Sequence, residues 1–145
     1  MDIAAAERGE CAATEKTFAV VPESQRAQLI ERLKLYIDYQ RSKDYERLYG
    51  LFSKATIDQV FKGQTLPQFV AAFRKGDEER TSVTILDFKV TNVEKTTEDG
   101  VELYKIYGDA KLCQHGEPVD KQIVIGAQLQ DGNWYFTTLS DVLDN

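Results

Sequence analysis

Histidine occurs once in this chain, at His115, and cysteine only twice, at Cys11 and Cys113. A single imidazole leaves no room for a histidine-based metal cluster or for a second catalytic histidine. Two cysteines at opposite ends of the chain make neither a C-x-x-C redox pair nor a zinc ribbon. Lysine and arginine are never clustered, and the net charge is −6, so a phosphate backbone has nothing to hold it and nucleic acid is not an expected partner. No apolar run is long enough to span a bilayer, so no membrane partner is expected. No glycine-rich loop leads into a helix in the phosphate-cradling manner, and no cofactor is implied. Residues 1–24 lack the basic start and apolar core of a signal peptide.

What is present is one domain's worth of alternating pattern. Residues 25–52 carry the clearest of it. Leu29, Ile30, Leu33, Tyr36 and Ile37 recur at helical spacing, with Glu31, Lys34 and Asp38 opposite. That spacing predicts a long helix with one buried face, and Gln40 as a polar group beside the buried stripe. Pro22 marks its start, with Glu23-Ser24 offering the cap. The helix stops near residues 41–43, and Asp44 caps a second one whose apolar face is Tyr45, Leu48, Tyr49 and Phe52. Ile57, Val60 and Phe61 predict a short helix stopped at Gly63. Thr65 followed by Pro67 and Gln68 is a capping-box start for another, with Phe69, Val70 and Phe73 buried and Gly76 as its stop. Residues 1–21 form an N-terminal arm, in which Phe18, Val20 and Val21 are expected to pack as a short extended piece.

Beyond Arg80 the period becomes two. Strands are expected over 81–95, 101–114, 119–130 and 133–139, turning at residues 98–100, 115–118 and 131–132. Short turns between long strands give an antiparallel meander. Leu86, Phe88 and Val90 are expected to face inward on the first strand, and Tyr104, Ile106, Gly108, Ala110 and Leu112 on the second. Ile123, Ile125, Ala127 and Leu129 do so on the third, and Trp134 and Phe136 on the last. One apolar sheet face needs a cover, and the preceding helices supply it, so the fold class is α+β.

The order of these elements resembles the nuclear transport factor 2-like superfamily, also called the cystatin-like cone. YIDYQRSKDYERLYGLFS looks like its helix, polar break and capped second helix. QFVAAFRKG resembles its third helix, and DGNWYFTTL its last hairpin. The resemblance implies an arm over 1–21 and one domain over 22–145, with N-terminal helices packed on a curved antiparallel sheet. In ketosteroid isomerase-like members a helix tyrosine donates to the substrate oxyanion and an aspartate moves the proton. Tyr36 falls at a position similar to that tyrosine. The base position falls near Asp58, with Gln59 the better match, and no acidic group matches on the inward sheet face. Dehydratase-like members use a histidine inside the cone, whereas His115 lies in a hairpin turn.

The inward face therefore holds almost no ionisable group. That favours a non-catalytic module binding a small apolar ligand or a protein partner, with Tyr36, Gln40, Phe52, Phe73 and Trp134 as the expected ligand pocket. The alternative is a small isomerase- or dehydratase-like enzyme using Tyr36, with Asp58, on a carbonyl substrate. Tyr107, Tyr135 and the alternating charges of the outward sheet face suit a homodimer contact. Cys11 and Cys113 admit two readings. Joined, they tie the arm to the sheet and imply an exported protein. Separate, they are two thiols in a cytoplasmic one.

Overall fold

A proline, rather than a polar cap, starts the first helix. In the computed structural model, which describes residues 17–81, 83–98, 100–137 and 141–142, helix α1 spans Glu23–Arg41 with Pro22 at its N-cap position. No side chain of the expected Glu23-Ser24 pair closes it. The carbonyls that precede the helix are held instead by a side chain of its first turn. Arg26 Nε donates back to the carbonyls of Phe18 (3.1 Å) and Val21 (2.9 Å), folding residues 17–20 into a turn instead of the expected extended piece. Phe18 and Val21 enter the core from that turn, while Val20 points to solvent.

The remaining helices are short and individually capped. Helix α2 (Tyr45–Tyr49) starts at Asp44, and α3 (Lys54–Gln59) at Ser53. Helix α4 (Leu66–Glu79) starts at Thr65 with both halves of the capping box made to Gln68. Three expected bounds fall elsewhere. Helix α2 ends at Tyr49, so Phe52 lies beyond it, bridged to Phe136, and not on the helix's own apolar face. Helix α3 ends at Gln59, before Gly63, and leaves Val60 half exposed. Helix α4 runs through Gly76 to Glu79 and ends where Arg80 turns left-handed at φ 57°. The left-handed turn is closed by Thr81 N–H donating to the Gly76 carbonyl (2.8 Å) and Arg80 N–H to that of Asp77 (3.3 Å), and the β2–β3 turn packs on Arg80. His115 Nδ1 lies 3.3 Å from its carbonyl, and its side chain lies close against Gly116.

The sheet is a meander of β1 (Val83–Glu98), β2 (Val101–Gln114), β3 (Glu117–Gln130) and β4 (Asn133–Phe136), in that spatial order. A two-residue strand not anticipated from the sequence, β5 (Asp141–Val142), pairs with β3 opposite Ile123 and Val124. His115-Gly116 and Asp131-Gly132 both have positive φ at both positions, the primed turn that matches strand twist. Glu117 and Pro118, expected in the turn, already belong to β3.

Strand β1 carries two register shifts. Ile85 pairs with Leu112 and Asp87 with Lys111; Val90 pairs with Gly108 and Asn92 with Tyr107. Leu86 and Thr91 are therefore the extra residues of two bulges. Each bulge moves the buried set by one position, so the inward residues are Ile85, Phe88, Val90 and Val93. Leu86, expected inward, is only half-buried. The inward sets of β2 and β4 are those the alternation gives, and on β3 Ile123, Ile125 and Ala127 are buried with Leu129 packed at the margin.

Helix α1 lies across the sheet against β1 and β4, α2 packs on α1, and α4 on α2. This layer reaches both edge strands at particular backbone groups. At β1, Gln40 is fully engaged: Nε2 donates to the Tyr36 carbonyl (3.1 Å) and Oε1 accepts from Ile85 N–H (3.0 Å). At β4, the Arg32 guanidinium grips the Trp134 carbonyl through Nε (3.1 Å) and Nη2 (2.9 Å). Beside it, Phe52 makes a parallel bridge with Phe136, with Phe136 N–H donating to Leu51 at 2.8 Å. Each such plug satisfies one of the edge groups that would otherwise be open to another strand. Gln40→Leu should therefore cost about 1–3 kcal/mol, the penalty of an orphaned buried N–H. Urea denaturation measures that cost, and amide exchange at Ile85 should quicken in the variant. An unchanged midpoint would show that the bond carries no weight.

Candidate functional site

The interior under the helices is built largely from aromatic rings. Tyr36 is central to it, 4.4 Å from the Phe136 ring centroid and 6.0 Å from that of Phe52. Phe52 continues the chain to Phe61 (5.1 Å) and Phe69 (6.1 Å), and Phe69 to Tyr49 (5.1 Å) and Phe73 (4.8 Å). Phe73 stacks on Tyr45 at 4.8 Å. Tyr36, Phe69, Trp134 and Phe136 have no accessible surface at all. Burial pushes the Tyr36 hydroxyl well above the usual tyrosine range, so it stays protonated at any ordinary pH. Among the described residues the buried polar side chains outside this aromatic set are Gln40, Ser53, Thr56 and Thr84, and none carries a charge.

The residues expected to line a pocket are thus divided. Tyr36, Gln40 and Trp134 are packed interior. Trp134 is fixed by Nε1 donating to the Gln25 carbonyl (3.3 Å) and by an edge-on contact with Tyr104 at 5.2 Å. Phe73 sits at the margin between Tyr45 and Phe69. Phe52 and Asp58 are brought together, Phe52 with one edge against Tyr36 and Asp58 away from that interior. They line a surface cleft of about 390 Å³ between α2, α3 and the loop into α4. Tyr49, Phe52 and Ile57 form its apolar lining, with Lys54, Asp58 and Gln64 around them. Tyr49 Oη donates to the Gln64 carbonyl at 2.9 Å and so ties the loop to α2. Asp58 is exposed. Tyr49, Lys54, Ile57 and Gln64 were not singled out by the sequence as site residues. The one available signal was Lys54, Ile57 and Asp58 at i, i+3, i+4 on a short helix.

The outer sheet face carries a second concavity, about 340 Å³, over charged cross-strand rows. Asp87, Lys111 and Asp120 lie in register across β1, β2 and β3, and Lys89, Asp109 and Gln122 form another such row. Further along the face, burial and the neighbouring Glu94 raise the Tyr107 hydroxyl above its ordinary value. Arg32 stands 5.8 Å from the Tyr135 ring centroid.

No protein-family model matches this chain, and no curated protein matches it.

The other chemistry-bearing groups are placed as follows. Tyr45 Oη donates to Asp77 at 2.5 Å, and Lys43 lies 3.9 Å from the same carboxylate. Burial first, then Asp77, pushes the Tyr45 hydroxyl above the ordinary tyrosine range. Cys113 is half-buried on β2 opposite Thr84 and Pro118, and Cys11 lies outside the described residues. Among the described residues no group of three or more His, Cys, Asp or Glu side chains is placed to hold a metal ion. Among them, too, no helix is long and apolar enough to cross a membrane.

Proposed function

We propose that this chain is a non-catalytic binding module of the nuclear transport factor 2-like kind, and that it works by engaging a partner chain, a second copy of itself, through the outer face of its sheet. The observation that carries this reading is where the charges are. The helix-covered face buries no carboxylate, imidazole or ammonium among the described residues, while the outer face alternates them in register. A general base must reach its substrate with a suitable pKa, and a packed interior without one offers no such group. The enzymatic alternative asks Tyr36 to meet a carbonyl substrate. Tyr36 has no accessible surface, and Asp58 lies out on α3. A small apolar ligand is the second occupant of this reading, and the α2–α3 cleft is the place for it.

On the outer face, a two-fold axis between two copies lets the Lys89–Asp109 row of one meet the Asp87–Lys111–Asp120 row of the other with opposite signs opposed. Tyr107 and Tyr135 supply aromatic contact area of the kind interfaces favour. Light scattering over a dilution series should return twice the 16.5 kDa chain mass at high concentration. Tyr107→Glu with Tyr135→Glu should shift the equilibrium to monomer without loss of secondary structure. A strictly monomeric mass at the highest concentration overturns the self-association.

A further inference from the structure

The α2–α3 cleft combines features that the charged outer face lacks. Its floor is apolar and firm. Phe52 and Ile57 are buried, Tyr49 is half-buried, and the rings of Phe61 and Phe69 back Phe52 and Tyr49 at 5.1 Å. A floor packed this way keeps its shape when a ligand arrives, which spares the cost of ordering it.

Its rim holds one cation and one anion. Lys54 and Asp58 are both exposed and lie one turn apart on α3, so they project from the same helix face about 5–6 Å apart at Cβ. The lysine precedes the acid, which is the less favourable order for a helical ion pair. Among the described residues no ion pair engages either of them. Opposite charges held close together but not joined can both turn to a third molecule that carries both signs. The volume, about 390 Å³, lies toward the small end of the roughly 300–1,000 Å³ typical of ligand sites.

We propose that this cleft binds a small zwitterion with an apolar side chain: a free α-amino acid of the aromatic or branched aliphatic class. Its carboxylate meets Lys54, its ammonium meets Asp58, and its side chain lies on Phe52 and Ile57. Lys54 and Asp58 are the charged side chains that line the cleft, so recognition of the two charges of the backbone end falls to them. The inference is independent of the outer-face assembly, since the cleft is formed by α2, α3 and the following loop of one chain.

The test is a chemical-shift titration of the full chain with three probes: L-phenylalanine, 2-phenylethylamine and 3-phenylpropionate. The last two each lack one charge. L-Phenylalanine should move the amides of Gly50, Ile57 and Gly63, and each single-charge analogue should bind about fivefold more weakly, the worth of one exposed charge contact. Lys54→Glu should abolish the preference for the amino acid over the amine. Asp58→Lys should abolish the preference over the acid. Both positions are exposed, so an undisturbed amide spectrum reports that each variant is folded. Three probes of equal affinity, shifts confined to another surface, or no shifts at all would each overturn the proposal.

Discussion

Tyr36→Ala should cost on the order of 3–5 kcal/mol, the range for truncating a large buried aromatic, and lower the melting temperature by roughly 6–20 °C. The side chain has no accessible surface and touches the rings of Phe52 and Phe136. Removing it breaks the aromatic chain between β4 and the helices. Tyr36→Phe keeps both ring contacts and loses one hydroxyl hydrogen bond, for about 1 kcal/mol. The alkaline limb gives a second readout. Burial raises the Tyr36 pKa in the folded state, so its share of stability is complete below the unfolded tyrosine value near pH 10 and falls as pH rises toward the folded value. Tyr36→Phe should therefore lose stability less steeply above about pH 10, by up to ~1.4 kcal/mol per pH unit. Urea midpoints measured from neutral to alkaline pH test both statements. An unchanged melting temperature for Tyr36→Ala would mean that the helix register is wrong. A full-length chain in which Tyr36→Phe abolished turnover of a carbonyl compound would restore the enzymatic alternative.

The α1 register was legible in the sequence because a period of 3.6 has one phase. Leu29, Ile30, Leu33, Tyr36 and Ile37 admit no other buried arc, and all five are buried. Asp44 and Thr65 were legible for the same local reason, since a cap acts within its own first turn. Strand β1 was not. Ile85 and Leu86 are adjacent and both apolar, so either can begin an alternating set, and the choice is made by a bulge against Leu112 and Lys111. A bulge counts residues on two strands, and a single strand's pattern does not hold that count. Gly76 misled in a related way. Glycine is a good helix stop, but here the left-handed position goes to Arg80, which the β2–β3 turn contacts from the far side of the chain. The candidate site was legible only in pieces. Phe52 reads as core from its spacing, and its double role, against Tyr36 on one side and the cleft on the other, follows from how the segment around Leu51–Ser53 docks on β4.

Gly108→Ala should destabilise the fold, although the same change usually stabilises a position whose backbone alanine can adopt. Gly108 lies mid-strand in β2, between Val90 of β1 and Ile123 of β3, and its φ is not in the left-handed region. The demand at this position is therefore for space, not for backbone freedom. A Cβ there would sit 2.5 Å from the Lys89 carbonyl oxygen and 2.6 and 2.7 Å from Phe88 Cε2 and Cζ. The ring of Phe88 can swing aside only into packed core, and the Lys89 carbonyl is part of the neighbouring backbone, beside the Val90–Asn92 register shift. Overpacking of this kind costs about 1–3 kcal/mol and occasionally more. Because ring and carbonyl are both too close, the upper part of that range is expected, and Gly108→Val should exceed it. The two sources of strain can be separated. In a Phe88→Ala background the ring is gone but the carbonyl remains, so Gly108→Ala should cost less there than in the parent chain, and the double-mutant cycle reads the ring's share. Urea denaturation of the four proteins supplies the numbers. A Gly108→Ala midpoint equal to or above the parent's would show that β1 and β2 do not approach this closely, and the bulged register of β1 would fall with it.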